Sequence, residues 1–352
     1  MDNREISVCI ITKNEADKLE KCLGALSAYP FEIVVVDTGS TDNSVEIALK
    51  YTNSVYHYEW NDNFSDARNF SISKARNDVV LILDTDEFLT EIDYDELLEL
   101  AYINQDKVGR ILIVNLFTRN KELNTNRERI SRLFNRKLFG YKGAIHEQVC
   151  RIDGQEYGTY NVQATFEHTG YDGTPEELER KSWRNIALLE KELEKEDDPY
   201  ILYQLGKSYY MLGDYQNALV YFERATSYDL EPKLEFVADL VISYGYALIN
   251  SGQREKALMF ENLYEEFAYS CDFVFLMGLI YMNNTLFDEA VGQFLKATEY
   301  KVCTTDGANS YLAYYNVGVI YECLGYTKEA FEYYSMCGDY EKAAERKKQL
   351  LS

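Results

Sequence analysis

The chain is poor in positive charge: 36 Lys and Arg stand against 59 Asp and Glu in 352 residues, a formal net charge of −23. An extended contact with nucleic acid or an anionic membrane face would meet general repulsion, so neither is expected as a partner. An anionic small molecule would need a local cation to receive it, either a bound metal or a few placed arginines. No run approaches the ~18 apolar residues of a membrane-spanning helix. The N-terminal MDNREISVCIITKN has no basic stretch leading into a sustained apolar one with a cleavage site. A cytosolic protein without a transmembrane segment is expected. The seven cysteines include no C-x-x-C pair, and Cys9, Cys22, Cys323 and Cys337 fall in apolar-periodic segments. Reduced, mostly packed thiols are expected rather than disulfides or zinc.

What is present divides into two halves of different periodicity. Up to about residue 115, short β-branched runs at 6–12, 32–36 and 79–83 alternate with helical stretches at 15–28, 43–51 and 65–75. That order predicts crossover units and a mainly parallel, Rossmann-like α/β sheet buried on both faces. Beyond about residue 175 strand signals cease and a helical pattern containing glycine recurs, clearest in LYQLGKSYYMLGDYQNALVYFERA. Leu202, Leu205-Gly206, Tyr209, Ala218, Phe222 and Ala225 resemble the tetratricopeptide repeat, and degenerate copies are led by Gly245, Gly278 and Gly318. The second copy is weak. Glycine and alanine let helix backbones approach while aromatics fill the gaps between them. The expected organisation is an α/β domain over 1–172, a linker helix over 173–198, and an all-α repeat solenoid with a capping helix over 199–352.

The chemistry gathers at strand ends. VVLILDTDEF is an apolar strand running into Asp84, Asp86 and Glu87. Residues i and i+2 of an extended chain face the same way, so Asp84 and Asp86 converge beyond the strand. Hard carboxylate oxygens at that spacing suit Mg²⁺ or Mn²⁺. Alone, such an acidic pair is equally a solvated turn. IVVVDTGSTDNS ends a second strand in Asp37, with Asp42 a helix cap, and Thr12 and Glu15 close a third on the same edge.

ISVCIITKNEADKLEKCLGAL, VVVDTGSTDNS, FSDARNFSISKA and LILDTDE, in that order, resemble the nucleotide-binding half of family 2 glycosyltransferases with the GT-A fold. The resemblance implies that Asp37 binds the uracil or ribose of a UDP-sugar, with Thr12 and Glu15 lining the nucleoside pocket. It places Arg68 and Asn69 beside the nucleotide, makes Asp84-Thr85-Asp86 the metal and diphosphate motif, and puts His146 and Glu147 near the acceptor. Glu147 is the preferred general base and His146 its competitor. His168 is either a third metal ligand or a histidine packed at the domain edge. Arg129 and Arg132 are candidates to hold the diphosphate or the acceptor.

Taken with the repeats, these residues predict a soluble, metal-dependent, inverting transferase. It would move a hexose or N-acetylhexosamine from a UDP-sugar to a protein or peptide side chain presented in the repeat groove, as in bacterial peptide and protein glycosyltransferases. Two alternatives remain: addition of one sugar to a lipid-linked or lipopolysaccharide-core glycan, and a repeat scaffold carrying a pseudoenzyme. Self-association through the repeats into a homo-oligomer is a further possible use of that half.

Overall fold

The computed structural model describes residues 5–119, 122–168 and 175–351, which divide into compact units on either side of residues 178 and 179. The domain boundary expected at 172 lies outside the described residues.

In the first unit, β1 (Ile6–Thr12), α1 (Ala16–Leu26), β2 (Glu32–Asp37), α2 (Ser44–Tyr51), β3 (Val55–His57), α3 (Phe64–Lys74) and β4 (Val79–Leu83) alternate as the periodicity predicts. They are followed by β5 (Glu87–Ile92), α4 (Tyr94–Ile103), β6 (Val108–Arg119), β7 (Glu122–Asn135), β8 (Phe139–Lys142), β9 (Gln148–Arg151) and β10 (Thr159–His168). Eight strands form one sheet in the order β3-β2-β1-β4-β7-β6-β10-β5, and β8 pairs with β9 separately. The β3-β2-β1-β4 half is parallel, whereas β7 runs antiparallel to both β4 and β6. β10 lies between β6 and β5, parallel to the first and antiparallel to the second.

Strand alternation divides the core. Ile6, Val8 and Ile10 of β1 pack with Leu19, Leu23 and Leu26 of α1 and Leu97 of α4. Cys9 faces the other way, with Val80 and Ile82 of β4, Ile72 of α3, and Phe139 and Tyr141 of β8. Two covered faces explain why these strands read as continuous apolar runs rather than as alternating ones.

The second unit is helical. It follows α5 (Pro175–Leu193), which spans the division, with α6 (Pro199–Met211), α7 (Tyr215–Ala225), α8 (Glu235–Asn250) and the short α9 (Arg254–Ala257). A 3₁₀ turn (Leu258–Leu263) precedes α10 (Tyr264–Phe267), α11 (Cys271–Asn283), α12 (Phe287–Ala297), α13 (Tyr311–Cys323), α14 (Thr327–Ser335) and α15 (Glu341–Leu350). A Cβ added at Gly206, Gly278 or Gly318 would lie 2.4 to 2.7 Å from the ring of Phe222, Phe294 or Tyr334 on the paired helix. Gly245 instead abuts Leu276 of α11. The second repeat is weak in sequence because α9, the 3₁₀ turn and α10 replace a continuous second helix.

Among the described residues no helix is long and apolar enough to cross a membrane. All seven cysteines are free thiols, and Cys323 is exposed at the end of α13 rather than packed.

Candidate active site

Three parallel strands end level: Thr12 of β1 lies beside Asp37 of β2, which lies beside His57 of β3. Thr12 is buried, and its Oγ1 has no hydrogen-bond partner. Orphaned buried hydroxyls are rare in folded proteins, and a bound molecule or water would complete this one. The Asp37 carboxylate accepts from the N–H of Gly39 at 3.1 Å and of Ser40 at 3.1 and 3.2 Å. The turn so closed puts Gly39 at φ +103°, where side-chain-bearing residues are strained. The neighbouring loops lock together. Asn14 Oδ1 accepts from Thr41 N–H at 2.7 Å, and Asp42 accepts from the N–H groups of Ser44 at 3.0 Å and Ala16 at 3.1 Å. Asp42 therefore caps the start of α1 as well as that of α2.

Asp84 sits where β4 leaves the sheet. Arg68 Nη2 donates to its Oδ1 at 2.7 Å and Arg132 Nη2 to its Oδ2 at 2.8 Å. The same Arg132 nitrogen reaches Glu87 Oε1 at 2.8 Å, and Glu87 Oε2 accepts from Asp84 N–H at 3.0 Å. Arg68 Nε in turn donates to Glu147. Glu147, Arg68, Asp84, Arg132 and Glu87 thus form a chain of alternating charge. Burial alone would raise the pKa of Asp84, but the two guanidinium groups outweigh it and hold this carboxyl well below its ordinary value. Burial dominates at Glu87 and pushes its carboxyl up, against Arg132. Burial would lower both arginines, yet Asp84 and Glu147 keep Arg68 cationic, as Glu87 and Asp84 keep Arg132. Arg68 Nη1 is buried without a hydrogen-bond partner.

Asp86, two residues on, has different company. Its Oδ1 is 3.6 Å from His168 Nε2, and its Oδ2 is 3.8 Å from Lys18 Nζ. Lys18 also reaches Glu15 at 3.4 Å, and Thr85 Oγ1 donates to Glu15. Asn115 fixes the form of His168. Its Nδ2 donates to Glu128 Oε1 at 2.6 Å, so its Oδ1 is the atom 2.6 Å from His168 Nδ1. An amide oxygen only accepts, so Nδ1 carries the proton, and in the neutral ring the lone pair belongs to Nε2. Asp86 Oδ1 and His168 Nε2 then face one another 3.6 Å apart, longer than a direct hydrogen bond and within the span of a shared cation.

Among the described residues no group of three or more His, Cys, Asp and Glu side chains is arranged to hold a metal ion. Asp86 and His168 nevertheless fit a Mg²⁺ or Mn²⁺ that takes its remaining ligands from water and substrate phosphate. Asp84, expected beside Asp86 as a metal ligand, accepts from one arginine at each of its oxygens.

The other expected residues are placed unequally. Asn69 uses its amide on β8, accepting from Tyr141 N–H at 2.9 Å and donating to Tyr141 carbonyl at 2.9 Å, so it anchors a strand. Arg129 reaches the carbonyls of Arg110 at 3.3 Å and Val162 at 3.1 Å, within the sheet. His146 adopts φ +50° beside Glu147 in the β8–β9 connection. Asn115 and Glu128 carry no sequence motif that marks them. Only the continuation of the D-x-D-E run pointed toward Glu87.

Residues 7–152 match the pattern of "Glycosyl transferase family 2", and residues 199–231 that of "Tetratricopeptide repeat". A TPR repeat-containing protein of Synechococcus elongatus is 33% identical over 146 residues, covering 41% of this chain and 35% of that protein. The SPbeta prophage-derived glycosyltransferase SunS of Bacillus subtilis is 25% identical over 228 residues, covering 64% of this chain and 54% of SunS. The crystal structure of YrrB, titled a TPR protein with an unusual peptide-binding site, aligns with 26% identity and a TM-score of 0.40 over 49% of this chain and 84% of its own. The chain thus spans from about a third to about half of the length of these curated relatives. Motif order and sheet topology agree with these two patterns: residues 7–152 carry a glycosyltransferase family 2 domain and residues 199–231 a tetratricopeptide repeat.

Proposed function

We propose that the chain is a metal-dependent, inverting transferase that moves a hexose or N-acetylhexosamine from a UDP-sugar to a side chain of a protein or peptide. The observation that carries this reading is the Asp86–His168 pair, whose ring Asn115 orients at the carboxyl edge of a parallel sheet. When bound there, Mg²⁺ or Mn²⁺ would supply Lewis-acid charge to the diphosphate leaving group.

The chain's own residues supply the remainder. Thr12, Asp37 and Glu15 receive the nucleoside at the ends of β1 and β2, with Thr85 held by Glu15. Arg68 and Arg132 offset the Glu147, Asp84 and Glu87 carboxyl groups beside the place the diphosphate would take, and they keep Asp84 ionised between them. An acceptor nucleophile attacks the anomeric carbon as the bond to the diphosphate oxygen breaks. The electron pair departs with UDP and the proton passes to Glu147. Arg68 fixes one carboxylate oxygen of Glu147 and so couples that base to the donor side.

The peptide acceptor is supported by the repeats, since such arrays commonly receive extended chains. SunS is itself named a glycosyltransferase. The deciding experiment has two parts. UDP-sugars are screened for hydrolysis with and without Mn²⁺, and the labelled sugar of the active donor is then followed into protein and lipid fractions of a cell extract. Absence of metal-dependent turnover of every UDP-sugar would remove the enzyme reading, and label confined to lipid would remove the peptide acceptor.

A further inference from the structure

The repeat unit contains a pair of thiols that the transfer chemistry does not use. Cys271 is the first residue of α11 and is buried; Cys303 lies in the connection between α12 and α13 and is half-buried. The residues that follow them hold them together. Asp272 accepts from the N–H groups of Thr304 and Thr305 through its two oxygens, each at 2.8 Å, which pins the connection to the start of α11. Cys303 packs against the apolar cluster to which Cys271 belongs, so this shared packing and the Asp272 bridge bring the two thiols together. Cys271 Sγ also donates to Ala297 carbonyl at 3.5 Å, and Cys303 Sγ lies 3.0 Å from Thr305 carbonyl and 3.3 Å from Asn309 Oδ1.

We propose that Cys271 and Cys303 are a peroxide-oxidisable thiol pair, closing to a disulfide that staples the α12–α13 connection to the start of α11. The roles follow from exposure. Cys303 meets the oxidant first and buried Cys271 resolves it. When its single S–H turns from the Ala297 carbonyl toward Cys303, Cys271 favours the Cys303 thiolate and, helped by the Asn309 N–H, outweighs burial and the nearby Asp272 and Asp306 carboxylates. The bond so formed, with burial, raises Cys271.

In the first step the Cys303 thiolate attacks one oxygen of hydrogen peroxide. The O–O bond breaks, hydroxide leaves, and a sulfenic acid forms. The Cys271 sulfur then attacks the Cys303 sulfur, the S–S bond forms, and the sulfenic oxygen departs as hydroxide to be protonated. Two thiols and one peroxide give one disulfide and two waters, the sulfurs being oxidised and the peroxide oxygens reduced.

The test is a peptide map of the full chain, reduced and then exposed to hydrogen peroxide at neutral pH, alkylated and digested without reductant. The peptides containing Cys271 and Cys303 should appear linked, lighter than their sum by two hydrogens, and should separate with dithiothreitol. In Cys271→Ser, Cys303 should stop at sulfenic acid and be trapped by dimedone. In Cys303→Ser, Cys271 should stay reduced at a peroxide dose that oxidises exposed Cys323. Circular dichroism confirms that each variant is folded, and the wild-type map stands without them. Three wild-type results overturn the proposal: Cys303 still alkylating in full once Cys323 is oxidised, Cys303 reaching sulfinic acid unlinked, or Cys303 joined to another cysteine.

Discussion

At the scale of single residues, Asn115 makes a sharper test than the D-x-D carboxylates because its effect is indirect. It touches neither metal nor sugar in the proposed reading, yet it sets which nitrogen of His168 holds the proton. Outer partners of this kind typically contribute about 10–100-fold in metal affinity. Asn115→Ala should raise the Mn²⁺ concentration needed for half-maximal UDP-sugar hydrolysis by that factor while leaving the rate at saturating metal near wild type. Asp86→Ala should abolish turnover at any metal concentration, and Asp42→Ala should cost about 1 kcal/mol of stability as a lost cap with turnover retained. Arg132 makes a different prediction. Arg132→Met would leave Asp84 and Glu87 facing each other without its charge, and breaking a buried pair costs about 3–5 kcal/mol. Urea unfolding should register that loss in the first unit. That Asp84 and Asp86 follow β4 was legible from the apolar run before them, although both lie in the turn beyond the strand, where the rule that residues two apart share a face no longer applies. Their division of labour was not, because it depends on Arg132, His168 and Asn115, which arrive from β7, β10 and β6. The same holds for Asn69: a motif gives its neighbourhood, whereas only the packing of β8 on α3 shows its amide bonded to the Tyr141 backbone.

At the scale of elements, glycines separate packing from propensity. Gly206→Ala adds a methyl 2.4 Å from Phe222, and overpacking of that kind costs about 1–3 kcal/mol. Alanine is intrinsically the better helix former by ~1 kcal/mol. Gly292 in α12 has open space around it, so Gly292→Ala should stabilise where Gly206→Ala destabilises, a difference of sign that thermal melting resolves. The repeat glycines were legible in sequence because each marks a close helix contact. The mixed half of the sheet was not, since the insertion of β10 between β6 and β5 joins segments far apart in the chain. Glu32 ties another set of elements together at the far end of β2. It accepts from Ser7 Oγ on β1 at 2.5 Å, from Arg76 N–H at 2.8 Å and from Arg76 Nε at 2.7 Å. Burial would raise its pKa, but these bonds outweigh burial and hold it below its ordinary value. A carboxyl depressed in the folded state stabilises above its unfolded pKa, ~4.3 for glutamate, and that stability is lost as pH falls through the folded value. Glu32→Gln should therefore lower stability at neutral pH and flatten its decline below about pH 4.

At the scale of the whole molecule, each unit has a core of its own. The first is built on both faces of the sheet, with Leu19, Leu81 and Phe166 on one side and Val34, Phe134 and Phe139 on the other. The second is built from helix pairs, including Val274, Phe294 and Val317 and, near the end, Tyr334 and Ala343. Two cores that close separately can melt separately, and a ligand raises only the transition of the unit that binds it, by RT ln(1 + [L]/Kd). Calorimetry should resolve two transitions. UDP with Mn²⁺ at about a hundred times its dissociation constant should stabilise one of them by ~2.7 kcal/mol and leave the other in place. The variants identify which is which. Gly206→Ala should move only the transition that ignores UDP, and Asp86→Ala should erase the shift of the other. A single transition moved as a whole by UDP, or a UDP shift that persists in Asp86→Ala, would contradict the assignment of nucleotide and metal to the strand ends of the first unit.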